Sequence, residues 1–188
     1  SFEAAAIKKW YAEQSSFISK RFDPLPRRLN RSRVAEWIHV PCLSPRFIML
    51  HTLAHLLIKQ LAFECGYPAA SLREIIYCGE DEEEMAGILV YTAAGGAGGS
   101  LGGLVSQGHP ERLLPVLLKA LRRAQWCSSD PLCRRFPGQG RDGLNRAACH
   151  ACSLLAETSC GHGNVLLDRM LVIGEGGFFS GYDETSIS

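Results

Sequence analysis

The chain has 188 residues, 46% of them hydrophobic and 21% charged, and a formal net charge of +1 at pH 7. This is enough for one globular domain with a proper core and an appendage. It argues against a membrane helix, because His51, His55 and Lys59 interrupt the longest apolar run before it reaches about 18 residues.

Residues 2–20 read as an amphipathic helix, with Phe2, Ile7, Trp10, Phe17 and Ile18 as its packing face. In residues 22–33, Pro24, Pro26 and the arginines at 27, 28, 31 and 33 predict an extended connector. Residues 1–40 are thus expected to form an N-terminal helix and basic linker, followed by a domain over 41–175 and a frayed tail over 176–188. Ser44 and Pro45 are a helix N-cap and first-turn pair, apolar residues run from Phe47 to Ala62, and Gly66 supplies the stop. Two short runs rich in Ile, Val and Tyr, 73–78 and 86–92, predict a β-hairpin. The five acids at 80–84 between them read as an exposed loop tip. After the glycines of 95–103 a short helix is expected up to Gly108. A longer one over 110–126 closes on Arg122 and Arg123, where positive charge suits a C-terminal dipole. Further short helices are expected over 149–157 and 164–172.

Charge is unevenly placed. Residues 1–50 carry nine Lys or Arg against four acids, and residues 112–146 carry eight against two. Such basic patches fit a protein that touches nucleic acid with some faces, and equally fit solvated helix faces.

Five cysteines are spaced Cys127-x5-Cys133-x15-Cys149-x2-Cys152-x7-Cys160. Cys149 and Cys152 stand across one tight turn, the reach needed for two thiolates about 2.3 Å from one Zn²⁺. Four of the five are expected to bind, and the spacing alone leaves open which four. A redox CxxC is disfavoured because the sequence around Cys149 lacks the strand, helix and aromatic setting of such pairs. Disulfides are the other rival. Cys42, Cys65 and Cys78, however, lie in or beside apolar stretches, as core thiols of a reduced cell would, which predicts a cytoplasmic protein. With no signal peptide and no initial Met, the chain is expected to be a piece of something longer.

Two other features could carry chemistry. Gly95, Gly96, Gly98 and Gly99 follow a strand, where backbone N–H groups could cradle an anion. Their spacing matches neither a Walker A loop nor GxGxxG, and close backbone packing explains them as well. His51 and His55, four apart on a helix, face the same way like a pair of zinc ligands. Position 52 is Thr where an HExxH protease has its Glu, and no third ligand is obvious.

The order HTLAH, GILVYTAAGGAGGSLGGL, WCSSDPLC, LNRAACHACSLLAETSC and GHGNVLLDR, over residues 50–172, resembles a known family. It is similar to the zinc-binding C-terminal domain shared by MrfA-type DEAD/DEAH-box DNA-repair helicases and the DISARM antiphage protein DrmB. The cysteine segment is closer to the DrmB form. The resemblance implies zinc as cofactor and assigns it to Cys127, Cys133, Cys149 and Cys152, with Cys160 a substitute or neighbour.

It further implies a non-catalytic accessory module, with any motor elsewhere, that positions DNA or a helicase partner. Arg122, Arg123, Arg134, Arg135, Arg141 and Arg146 surround the site in sequence and are candidates for phosphate contacts. The alternative is a metal-dependent hydrolase or ligand site built on His51, His55 and the glycine loop, which requires the imidazoles to line an open cleft. The expected fold is α+β, mostly helical, with a small β-sheet and a zinc-stapled C-terminal lobe.

Overall fold

A computed structural model describes residues 2–40, 42–79, 85–92 and 102–181. The glycines at 95, 96, 98 and 99, the acidic run at 80–84 and the tail beyond 181 lie outside the described residues. The fold is α+β: eight α-helices among the described residues and one two-stranded antiparallel sheet. None of these helices is long and apolar enough to cross a membrane.

The N-terminal segment is two short helices, α1 (Ala4–Glu13) and α2 (Ser15–Phe22), broken at Gln14. Ile7, Trp10 and Ile18 are buried in the main core. The extended connector expected after them is instead α3 (Pro24–Arg31), which buries Leu25 and Leu29. Pro24 takes the first helical position and Pro26 stays in the first turn, where neither missing N–H is needed. Two prolines so placed start a helix.

The 21-residue helix α4 (Pro45–Cys65) is the axis of the molecule and packs against the sheet and three later helices. Its ends are those expected. The Ser44 side chain accepts the Phe47 N–H, and Gly66 leaves the helix at φ 69°, a left-handed cap that glycine adopts without a Cβ clash. Every residue from Pro45 to Leu56 is buried, so the first half of α4 is enclosed on all sides.

The hairpin is also as expected. Strands β1 (Leu72–Cys78) and β2 (Ala86–Thr92) pair with Ile75 opposite Leu89 and Tyr77 opposite Gly87. Along β1, Leu72, Glu74, Ile76 and Cys78 point inward, and the residues between them are exposed. Next come α5 (Gly102–Gln107), α6 (Pro110–Ala124), which packs on α4, and the single turn α7 (Leu132–Arg135).

Beyond α7 the chain is held by turns and side chains, with only 3-10 turns until α8 (Arg169–Ile173). Helices expected over 149–157 and 164–168 are absent. In their place Asn164 brackets Leu155, donating to its carbonyl at 3.0 Å and accepting its N–H at 2.9 Å. Asn145 similarly accepts from Leu167 N and donates to the Asn164 carbonyl. Residues 174–181 are packed, not frayed: Trp10 Nε1 donates to the Gly176 carbonyl at 2.8 Å, and Phe178 and Phe179 stack edge-on against Phe2.

Candidate metal centres

Four cysteines converge at the end of α6. Cys127 follows the helix directly, Cys133 lies on α7, and Cys149 and Cys152 flank one turn. Their sulfurs lie within 4.8 Å of one another. Cys127 to Cys149 is 3.5 Å, Cys149 to Cys152 is 3.7 Å and Cys133 to Cys152 is 3.8 Å. Such separations are far beyond the roughly 2.05 Å of a disulfide. They match the edges, about 3.8 Å, of a tetrahedron with metal–sulfur bonds of about 2.3 Å.

The surroundings favour anionic sulfur. Ser129 N donates to Cys127 Sγ at 3.4 Å, and Cys149 N and Ser153 Oγ each donate to Cys152 Sγ at 3.3 Å. Lys59 Nζ donates to the carbonyls of His150 and Ala151, which brings a positive charge to the turn between Cys149 and Cys152. Burial pushes the Cys149 thiol up, but the donors around it outweigh that and bring it down to about 6. Burial and the neighbouring sulfurs push Cys133 up. Burial also pushes Cys127 up, and a cation bound among the four sulfurs would favour their ionised form.

The fold holds the cluster rigidly. Fully buried Arg169 donates to the Ala124 carbonyl at 2.7 Å and grips both oxygens of Asp130, at 2.5 and 2.6 Å, tying α8 to α6 and to the loop between Cys127 and Cys133. Gln139 Nε2 donates to the Cys133 carbonyl at 2.7 Å and to the Arg146 carbonyl.

Cys160 is not in this cluster. It belongs to a second convergence with His51 and His55 of α4 and Glu74 of β1, whose ligand-capable atoms also lie within 4.8 Å of one another. His51 Nε2 is 3.0 Å from Glu74 Oε1 and 3.2 Å from Cys160 Sγ, and His55 Nε2 is 3.2 Å from Glu74 Oε1. Both histidines are 0% exposed, Cys160 6% and Glu74 7%. Burial would push the His51 imidazolium down, but the charges of Glu74 and Cys160 outweigh it and raise it to about 10. Burial would likewise raise Glu74 and Cys160. The imidazoles instead hold the carboxyl well below its usual range and bring the thiol to about 6. Thr52, at the position of a protease Glu, is occupied structurally: it donates to the Ile48 carbonyl and accepts the Asp168 N–H.

His51 and His55 are legible in the sequence, whereas Glu74, the group that joins them, is not. Its one signal is strand parity. Glu74 shares a phase with Leu72 and Ile76, yet Ile75 and Tyr77 make the opposite phase equally apolar, so parity did not decide.

The six arginines make separate contacts. Arg146 turns inward and donates to the Lys20 and Arg21 carbonyls at the end of α2, and Arg141 stacks over Trp37 at 5.1 Å. Arg134 donates to the Gln125 carbonyl, while Arg122 and Arg135 lie on the exposed surface. Arg123 stands over the Phe63 ring at 5.2 Å and donates to Gln60. It lines a groove of about 470 Å³ with Phe63, Lys59, Trp126, Cys127 and Cys152, so this groove runs across the cysteine cluster.

A helical domain closed by four converging cysteines defines the class, a zinc-binding module. The profile of the MrfA Zn-binding domain matches residues 53–153, more than half of the chain, and the chain belongs to that family. It is also 42% identical over 180 residues to the DISARM protein DrmB of Bacillus paralicheniformis, covering 92% of this chain and 30% of that protein. The chain therefore spans about a third of the length of this relative. Zinc is the family's cofactor, and the residues at the cysteine cluster fit it.

Proposed function

We propose that the chain is the zinc-stapled accessory module of a helicase-associated, DISARM-like defence or repair protein, and that it positions DNA for a helicase partner. Cys127, Cys133, Cys149 and Cys152 are the zinc ligands in this reading. Zinc supplies no chemistry to a substrate. It fixes the mutual placement of α6, α7 and the loop after residue 146, and with them the groove.

The observation that supports DNA is the composition of that groove. Phe63 and Trp126 are each 73% exposed, and they flank Lys59 and Arg123. Exposed aromatic rings beside cations form a stacking and phosphate-neutralising surface of the kind that binds a single strand with little regard for sequence. A hydrolase built on His51 and His55 is less well supported, because all four groups of that cluster are at most 7% exposed, where the alternative needs an open cleft.

The test is fluorescence anisotropy with labelled single-stranded and duplex oligonucleotides across a salt series. The reading expects a single-strand preference and affinity falling as salt rises. Trp126→Ala should weaken binding at every salt concentration, by the about 1–3 kcal/mol of one stacked base. Arg123→Ala should lower the salt slope by about 1. Binding unchanged in both variants would sink the groove as the contact surface.

A further inference from the structure

We propose that His51, His55, Glu74 and Cys160 form a second metal site, a closed structural site for a divalent ion of the zinc type, separate from the four-cysteine cluster.

The argument begins with lone pairs. His55 Nδ1 lies 2.9 Å from the Ser153 carbonyl, which can only accept, so Nδ1 carries a hydrogen. In the neutral ring Nε2 is then bare, and it faces Glu74 Oε1, also an acceptor, at 3.2 Å. His51 Nε2 meets that same oxygen at 3.0 Å and Cys160 Sγ at 3.2 Å. Four electron-rich atoms thus crowd one buried point, which is stable only with protons or a cation between them.

Three observations favour the cation. The separations approach the edges, about 3.3–3.6 Å, of a tetrahedron with metal–nitrogen and metal–oxygen bonds of about 2.0–2.2 Å and one metal–sulfur bond of about 2.3 Å. Charge also balances: one carboxylate, one thiolate and two neutral imidazoles around a divalent ion sum to zero, as so enclosed a site demands. Protonated imidazoles would leave Glu74 Oε2, which is buried with no hydrogen-bond partner, unrelieved. A metal bound to Oε1 neutralises the carboxylate as a whole and so relieves its second oxygen.

Two of the four ligands, His55 and Cys160, have outer contacts of the kind that orient ligands. A metal-bound histidine commonly donates its other ring N–H to a carbonyl, as His55 does to Ser153. Cys160 Sγ accepts the N–H groups of His162 at 3.4 Å and Asn164 at 3.3 Å. The first repeats the contact from Ser129 N, two residues on, to the Cys127 sulfur of the other cluster. Four protein ligands with no open place make the site structural, and a mixed nitrogen, oxygen and sulfur set suits zinc. His51 and Cys160 both fall outside the residues matched by the family profile, which ends at 153.

The decisive experiment is zinc content by mass spectrometry, with zinc-edge X-ray absorption, on the chain purified without chelator. Two zinc ions per chain and a first shell averaging five sulfurs to three nitrogen or oxygen atoms are expected. One zinc per chain in an all-sulfur shell would overturn the proposal while leaving the four-cysteine site intact. Cys160→Ala should fall from two zinc to one with the remaining shell all sulfur, whereas Cys149→Ser should retain the mixed site. Two zinc retained in Cys160→Ala would also overturn it. Should that variant fail to fold, absorption on the unmodified chain still decides.

Discussion

The Ser153 carbonyl accepts the Nδ1–H of His55 at 2.9 Å, while the hydroxyl of the same residue donates to Cys152 Sγ at 3.3 Å. One fully buried serine therefore touches both clusters. Removing its hydroxyl in Ser153→Ala deletes one contact to the cysteine cluster and spares the carbonyl. Zinc affinity at that cluster should fall by about tenfold, the low end for loss of an outer contact to a ligand. Competition against a chromophoric chelator reads this directly.

Stripping zinc should loosen the region that has little regular structure of its own. Residues 127–168 contain one four-residue helix and otherwise turns, so loss of the ion that joins their sulfurs would let them open. Hydrogen exchange after chelation should show lost protection there first, with the interior of α4 still protected. Uniform loss along the chain would instead mean that metal binding and global folding are one event.

Arg21 and Asp168 form a part-buried pair, with Nε to Oδ2 at 2.5 Å and Nη2 to Oδ1 at 2.7 Å. The Asp168 side chain is 1% exposed and also caps α8 through Met170 N. Arg21→Ala leaves that carboxylate buried without its cation. A loss of about 3–5 kcal/mol is expected in urea unfolding. Replacing both residues by apolar ones should cost less than the single change.

Gly66 holds φ at 69°, with nothing within 4 Å of where a Cβ would stand. Gly66→Ala thus isolates backbone strain from steric clash, and about 1–2 kcal/mol of destabilisation is expected. A larger loss would show that the turn after α4 has moved.

What could be read in the sequence was local. The ends of α4 follow from Ser44, Pro45 and Gly66 because capping is decided within one turn. The hairpin follows from the Ile- and Val-rich runs on either side of the acids. The four-cysteine cluster was within reach because its ligands come in short-spaced pairs. Whether Cys160 joined them was not, since its partner His51 lies on another element and no spacing relates the two. Glu74 was hidden by a strand with both faces apolar. Residues 24–31 form a helix where their prolines predict a connector, because both prolines fall in the first turn, where they do not break it. Residues 176–181 are packed because the absence of side chains at Gly176 and Gly177 lets the backbone lie against Phe17 and Met170, contacts distant in sequence.

His51 and Cys160 are 109 residues apart in the chain. At a synthesis rate of about 5–20 residues per second, α4 leaves the ribosome some 5–20 seconds before the thiol that its imidazole will meet. During that interval α4 has its histidines and its apolar flanks without their final cover. The last third of the chain therefore completes the interior instead of being appended to a finished one.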